Sequence, residues 1–304
     1  MSASSKKVIY AAFIGNCLIA VTKFIAASIS GSSAMISEGI HSLVDTGNQM
    51  LLLYGLHRAR RPADELHPFG YGKEIYFWSF VVAILVFALG SGVSIYEGVH
   101  RFVAPEPLGD PTINYIVLGL AILFESVAWF MALKEFGKAK GSRGYFEAVR
   151  EGKDPTLFVV LFEDSAAMIG LLIALVGVTL GEVTGNPQYD AAASIGIGVL
   201  LAITAIWLAY ETKGLLIGES ARQSVVDGIR RIVSKSNYVD HVNEVLTVHM
   251  GPEYILANIS IDFASNASSD DVETSIELLD KKIKQKFPRV KRIFIEAEKR
   301  KFKL

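Results

Sequence analysis

The chain is poor in cysteine, in internal repetition and, along three of its loops, in positive charge. Its one cysteine, Cys17, sits inside an apolar run, which excludes a disulfide framework and a cysteine-based zinc site. No repeat of solenoid period and no low-complexity tract is present. There is no HExxH pair, and no nucleophile or general base stands beside an open metal position, so nothing points to an enzyme. The formal net charge of −1 gives no reason to expect a nucleic-acid partner. The first apolar run is too long for the core of a signal peptide and lacks a small-residue cleavage site after it, so it reads as a retained segment.

What the chain has in excess is apolar surface. Hydrophobic residues make up 51% of its 304 positions, and the mean hydropathy is +0.37, well above an ordinary soluble domain. Nearly all of the excess lies before about residue 210. A membrane span needs roughly 20 mostly apolar residues, and six windows supply them: 8–29, 33–56, 75–99, 112–136, 156–180 and 191–210. The second is the least hydrophobic. Basic residues then alternate by side. Lys6 and Lys7 precede the first window, His57, Arg58, Arg60, Arg61 and Lys73 follow the second, and Lys138, Lys140, Arg143, Arg150 and Lys153 follow the fourth. The opposite loops, 30–32 and 181–190, carry none, and the third carries only Arg101. This predicts an integral membrane protein with the lipid bilayer as its solvent and both termini cytoplasmic.

Beyond the last window the chain reads as a charged globular segment. The pattern is helix (220–236), strand (242–249), turn (250–253), strand (254–263), helix (270–287) and strand (290–297). The expected fold is therefore an all-α six-helix transmembrane domain over 1–214. A small α+β ferredoxin-like cytoplasmic domain (αββαβ) over 215–304 follows it, regulatory or dimerising in role. A domain this small folds alone only marginally, so pairing with a second copy is expected.

The polar residues inside the windows point to function. An ionisable group at bilayer depth disfavours insertion by about 2.5–3.5 kcal/mol. Glu38, His41, Asp45 and Asn48 follow one another at steps of three, four and three, which places all four on one helical face. That stripe must face a cavity or another helix. His41 and Asp45, one turn apart, have the spacing to hold one ion between them. In the fifth window Glu163 and Asp164 are adjacent and differ by about 100° around the helix. Asp164, on the face of Val160, is expected to point at the cavity. Glu163 is left for a hydrogen bond or for carrying a proton. An imidazole and two carboxylates in hydrocarbon call for a cation. Isolated polar groups (Asn16, Ser91, Ser94, Ser126, and Asn48 in its simpler role) are expected to join helices. Lys23 needs a partner or must snorkel. Glu125 reads equally as a supporting group or part of a proton path, while Glu97 and Asp190, near span ends, are expected to be solvated.

Three motifs carry a resemblance. Ser37-Glu38-Gly39-Ile40-His41-Ser42-Leu43-Val44-Asp45-Thr46-Gly47-Asn48-Gln49 resembles the second-span signature of the cation diffusion facilitator family. His67-Pro68-Phe69-Gly70-Tyr71-Gly72-Lys73 is similar to the loop that opens that family's third span. Leu215-Leu216-Ile217-Gly218-Glu219 resembles its junction into the cytoplasmic domain. The resemblance implies a homodimeric exporter of Zn2+ or a similar ion, driven by proton antiport, with a transport site of two ligands on each of spans two and five. Carried over, these are His41 and Asp45 on span two and positions 160 and 164 on span five. Position 164 is Asp, but 160 is Val. The Glu163–Asp164 pair is similar to a divergent branch that includes the mitochondrial zinc transporters of animals.

Zinc prefers four ligands, so water, Glu38, Asn48 or a rotated Glu163 must complete the shell. Imidazole and carboxylate suit Fe2+, Co2+ and Mn2+ as well. The family's loop site would use Asp64 and His67, with Tyr71 at its third position; the plainer reading is that His67 caps or packs within the loop. A soluble-domain site would draw on Glu296 and Glu298, with His249 and Asp262 as helpers, and Lys73 and Glu219 would form an ion pair. Metal binding needs a neutral His41 and ionised Asp45 and Asp164, so protons compete with it. A non-transporting metal sensor is the main rival outside transport. With no transit peptide read at the start, a prokaryotic plasma (inner) membrane is the expected location.

Overall fold

The computed structural model describes residues 3–105, 110–141, 144–150 and 152–300, with side chains from residue 17 onward apart from those of 139, 146, 150 and 157. Expectations resting on Lys6, Lys7, Asn16, Arg143 and Arg150 lie outside the described side chains. The chain divides into two compact units: Met1–Leu56 with Phe77–Thr212, and His57–Tyr76 with Lys213–Leu304. The loop 57–76 thus groups with the C-terminal segment rather than with the helices it joins.

The first unit is helical. Its long elements are α1 (Ala3–Ser30), α2 (Ser33–Ala59), α3 (Glu74–Leu85) running through a π-helical turn (Val86–Ser91) into α4 (Gly92–Val103), α5 (Thr112–Lys140), α7 (Pro155–Thr184) and α8 (Gln188–Ile217), with the short α6 (Tyr145–Arg150) between α5 and α7. Among the described residues, four stretches are long and apolar enough to cross a bilayer: Glu74–Val103, Thr112–Lys138, Phe158–Thr184 and Gln188–Ile217. The described apolar part of α1, Cys17–Ser30, is shorter. In α2 the polar stripe dilutes the hydropathy, as the sequence predicts.

Local chemistry sets the helix ends. Asp154 caps α7, accepting from the Thr156 N–H (3.1 Å) and hydroxyl (2.6 Å), and Pro155 follows where a missing N–H does no harm. Gly185 closes α7 in the left-handed region at φ 63°. The interior is lined by small residues, among them Ala26, Ala34, Ala121, Ala174 and Ala205, which lets helix backbones approach closely where lipid supplies no hydrophobic drive. A Cβ on Gly98 would lie 2.7 Å from Ile195, and one on Gly198 2.6 Å from Ile95, so α4 and α8 cross through reciprocal glycine notches. Ser194 on α8 donates to the Ser94 carbonyl at 2.9 Å and pairs with Ser37 of α2 at 2.6 Å. Large apolar side chains such as Leu123, Phe124, Phe130, Ile203 and Ile206 stay exposed, as a lipid-facing surface requires.

The second unit contains α9 (Gln223–Val233), β1 (Val239–Gly251), β2 (Tyr254–Phe263), α10 (Ser269–Lys286) and β3 (Val290–Ala297), the αββαβ order the sequence predicts. The sheet runs β1-β2-β3, antiparallel between β1 and β2 and parallel between β2 and β3. The α10 crossover explains the parallel pair. Its core joins Ile229 and Val233 of α9, Leu279 and Ile283 of α10, and Ala257, Ile259 and Ile261 of the central strand. A capping box at Ser268 and Asp271 starts α10.

Candidate metal centre

The polar stripe of α2 is buried. Glu38, His41 and Asn48 are at most 1% exposed, and each meets a different neighbour. Glu38 accepts from Lys23 of α1 (Nζ to Oε2, 2.9 Å), and the same ammonium reaches Ser42 Oγ at 2.8 Å. Lys23 therefore does not snorkel; it is 4% exposed. The other Glu38 oxygen, Oε1, has no hydrogen-bond partner and faces Gly170 of α7, where a Cβ would come within 2.7 Å of it. Asn48 Nδ2 donates to Glu163 Oε1 at 2.8 Å, which ties α2 to α7 and leaves Asn48 Oδ1 unpartnered.

His41 and Asp45 differ from both. His41 Nδ1 and Asp45 Oδ1 stand 3.3 Å apart, but not in hydrogen-bonding geometry. Both atoms, and His41 Nε2, are buried without a partner. An unsatisfied buried polar atom disfavours the fold by about 1–3 kcal/mol, so such a cluster at mid-helix calls for a ligand. Asp164 is partly buried. It lies within electrostatic reach of Asp45, as do Glu163 and Glu125, so acids from α2, α5 and α7 share one neighbourhood. Trp129 of α5 donates to Ser165 at 3.0 Å and closes that side. Among the described residues, no three His, Cys, Asp or Glu side chains are close enough together to hold a metal in this conformation. The structure pairs His41 with Asp45 on α2 and leaves Asp164 in the same neighbourhood.

The loop residues are engaged elsewhere. Asp64 accepts from the Tyr71 hydroxyl (2.6 Å) and the His67 N–H (2.7 Å), and these bonds hold its carboxyl below the usual carboxylate range and push the Tyr71 phenol up. The His67 ring packs on Tyr71 with centroids 4.2 Å apart, and Arg61 lies over the Tyr71 ring. The loop is thus a folded turn with Asp64 as its hub. Of the C-terminal candidates, Glu296 on β3 and Glu298 just after it lie beside the end of β2 that carries Asp262, and His249 stands apart from them. His249 is opposite Ile255 and Asp262 opposite His241, which separates them by roughly 23 Å along the strand at about 3.3 Å per residue. Glu296 accepts from Asn258 (3.0 Å) and Glu298 from Ser260 (2.5 Å). Lys73 Nζ lies beside Gly218 and the Glu219 carboxylate curls back on Gly214.

One expectation is overturned outright. Asp190 is not solvated but 2% exposed. It accepts from Ser32 Oγ (2.5 Å), Ser33 N (2.6 Å), Ser33 Oγ (2.9 Å) and Ala34 N (3.3 Å), capping the N-terminus of α2 from the first turn of α8. Glu97, by contrast, is part-exposed and paired with Arg101 at 3.0 Å.

Comparison with known proteins gives this architecture its family. The family model of the cation efflux transmembrane domain matches residues 9–217. The mitochondrial proton-coupled zinc antiporter SLC30A9 of Mus musculus is 31% identical over 259 residues, 84% of this chain and 46% of that protein. Metal tolerance protein C4 of Arabidopsis thaliana is 33% identical over 261 residues, 85% of this chain and 57% of that protein. Magnetosome protein MamB of a Magnetospira strain is 24% identical over 277 residues, 89% of each chain. The chain spans about half the length of the first two relatives. With its apolar spans, its α2 stripe and a family match over most of its length, this chain belongs to the cation efflux family, a family of transporters rather than enzymes.

Proposed function

We propose that the chain exports a divalent metal cation, Zn2+ first among the candidates, from the cytoplasm in exchange for protons. It would act as a homodimer in a plasma membrane of prokaryotic type, with its basic loops and both termini cytoplasmic. The observation that carries the reading is the buried His41–Asp45 pair, whose ring nitrogens and carboxylate oxygen have no partner. A dication is the species that satisfies an imidazole and an acid together at this depth. Asp164 completes the set when α7 shifts toward α2, and Asn48 Oδ1, already buried and unpartnered, is the best-placed fourth donor. Glu38 is a poorer choice because Lys23 holds its Oε2. Glu163, held by Asn48, serves as wall and proton acceptor.

The cation binds by displacing protons from these groups on the cytoplasmic side, and protons from the far side release it. Zinc leads because SLC30A9 is by name a zinc antiporter; the ligand chemistry admits Fe2+, Co2+ and Mn2+ equally. In proteoliposomes with an imposed pH gradient, Asp45→Ala abolishes metal-dependent proton flux and leaves the protein folded. Undiminished flux in that variant refutes the assignment. Competition among the four metals in the same vesicles decides the ion.

A further inference from the structure

Lys23 is the buried charge that the export reading leaves without a task. It comes from α1 and lies within electrostatic reach of both His41 and Asp45 on α2. An ammonium has three protons to donate, and α2 offers an acceptor for each. Glu38 Oε2 lies at 2.9 Å, Ser42 Oγ at 2.8 Å and the Glu38 carbonyl at 3.5 Å. Two of these acceptors belong to a residue that could itself bind metal. Glu38 and His41 are three apart on one helical face, and a Glu-x-x-His pair of this spacing is a recurring ligand set in helical metal centres. Yet only one oxygen of this carboxylate is engaged. Glu38 is 0% exposed and its Oε1 has no partner; it looks onto Gly170 of α7, where no side chain intervenes.

We infer that Lys23 is a positioning residue for the transport site: its ammonium occupies Glu38 as a tethered cation and keeps that carboxylate off the metal. The inference rests on the reading of His41 and Asp45 as ligands and adds what limits their number. A bare carboxylate one turn from His41 would be drawn to a dication strongly, because little solvent screens charges at this depth. With Lys23 in place the Lys23–Glu38 pair is neutral, so α2 brings one uncompensated acid to the site and not two. Fewer ligand charges mean weaker binding. Weak binding suits a carrier, since a site on a path must release what it holds. Ser42, next to His41 in sequence, takes a second proton of the ammonium and fixes where it stands.

The full chain in nanodiscs of neutral lipid is titrated with Co2+, whose visible absorption reports the donors around it. Lys23→Met is expected to bind Co2+ about 10-fold more tightly than the parent, because a ligand charge is gained, and to change the absorption bands. Adding Glu38→Gln restores the parental affinity and bands, and Lys23→Arg, which keeps the charge, resembles the parent throughout. In vesicles Lys23→Met lowers both the half-saturating Zn2+ concentration and the maximal rate, a combination that a damaged helix contact does not produce. Where loss of the ammonium unfolds the metal-free chain, Zn2+ refolds it, since the stranded Glu38 then has a cation. The inference is overturned by a Lys23→Met chain with parental affinity, or by one that Zn2+ fails to refold. Tightening without a change of bands, or tightening that survives Glu38→Gln, marks a field effect alone and overturns it too. Parental Co2+ binding that is absent, or undiminished by His41→Ala with Asp45→Ala, overturns the export site and this inference together. Binding lost in that double variant but untouched by Lys23→Met overturns this inference only.

Discussion

Two stretches of α2 treat buried polarity in opposite ways. At its first turn, four donors converge on Asp190. At its middle, both His41 ring nitrogens and Asp45 Oδ1 are buried with no hydrogen-bond partner. Both stretches bury ionisable groups in the same apolar unit, so burial alone does not separate structure from function. Satisfaction does. A polar group whose partners are all supplied by the chain stabilises the fold, whereas one left without partners is retained for something that comes and goes. Between the two lies Glu38, half satisfied by Lys23 and half bare against Gly170.

That contrast breaks or sharpens by mutation. The largest loss is expected at the Lys23–Glu38 pair. Removing one member of a buried ion pair strands the other, at about 3–5 kcal/mol. Lys23→Met should therefore lower the thermal unfolding midpoint of the full chain in detergent by many degrees. Replacing both residues by Met should recover most of it. If the single variant melts like the parent, the pair is not the clamp its geometry describes. Asp190→Ala comes next. It leaves the Ser33 and Ala34 N–H groups of the α2 first turn without an acceptor, a loss of about 3 kcal/mol, and Asn at this position should retain part of the bonding. His41→Ala is the control: it removes two unsatisfied nitrogens, so its unfolding midpoint should stay near the parent's or rise. A His41→Ala loss as large as that of Asp190→Ala would make the imidazole structural and collapse the distinction.

Much of this was legible in the sequence, and the failures have physical causes. The α2 stripe needed only helical arithmetic. The soluble domain's element order followed from periodicity, and its β3 bounds agree residue for residue because a short charged turn and a β-branched run leave little latitude. The Lys23 partner was within reach. The residue lies eight positions before the Gly31 bend and Glu38 seven after it, so an α1–α2 hairpin sets both at one depth. Asp190 was not legible. Its partners are 156 to 158 residues away; the loops showed that α2 and α8 begin on the same side, but nothing in one sequence says they touch. The grouping of 57–76 with the C-terminal unit was hidden for a similar reason. It depends on a close approach of Gly72 to Met250, where a Cβ would collide with the carbonyl. For the C-terminal candidates, likeness to a motif gives residue type but not strand register, which sets His249 at the far end of the sheet from Asp262.

The smallest expected effect concerns that same loop and decides between its two readings. Asp64 is held below the usual carboxylate range first by the Tyr71 hydroxyl and then by the His67 N–H. A group whose pKa is depressed on folding adds stability above its unfolded value and loses it as the pH falls through the folded one. The turn should therefore stay closed at neutral pH and open only in acid, below about pH 4. Tyr71→Phe removes the leading bond, so the Asp64 carboxyl should move back toward its ordinary range and the turn should open at a higher pH. Carboxyl-carbon NMR of the labelled full chain follows this directly. The same spectra with added Zn2+ test the alternative: a turn held by its own hydrogen bonds leaves the Asp64 and His67 signals where they were, whereas a loop metal site shifts both and competes with the Tyr71 bond. An Asp64 pKa indifferent to Tyr71→Phe would remove the tyrosine from its role and reopen the carboxylate to a metal.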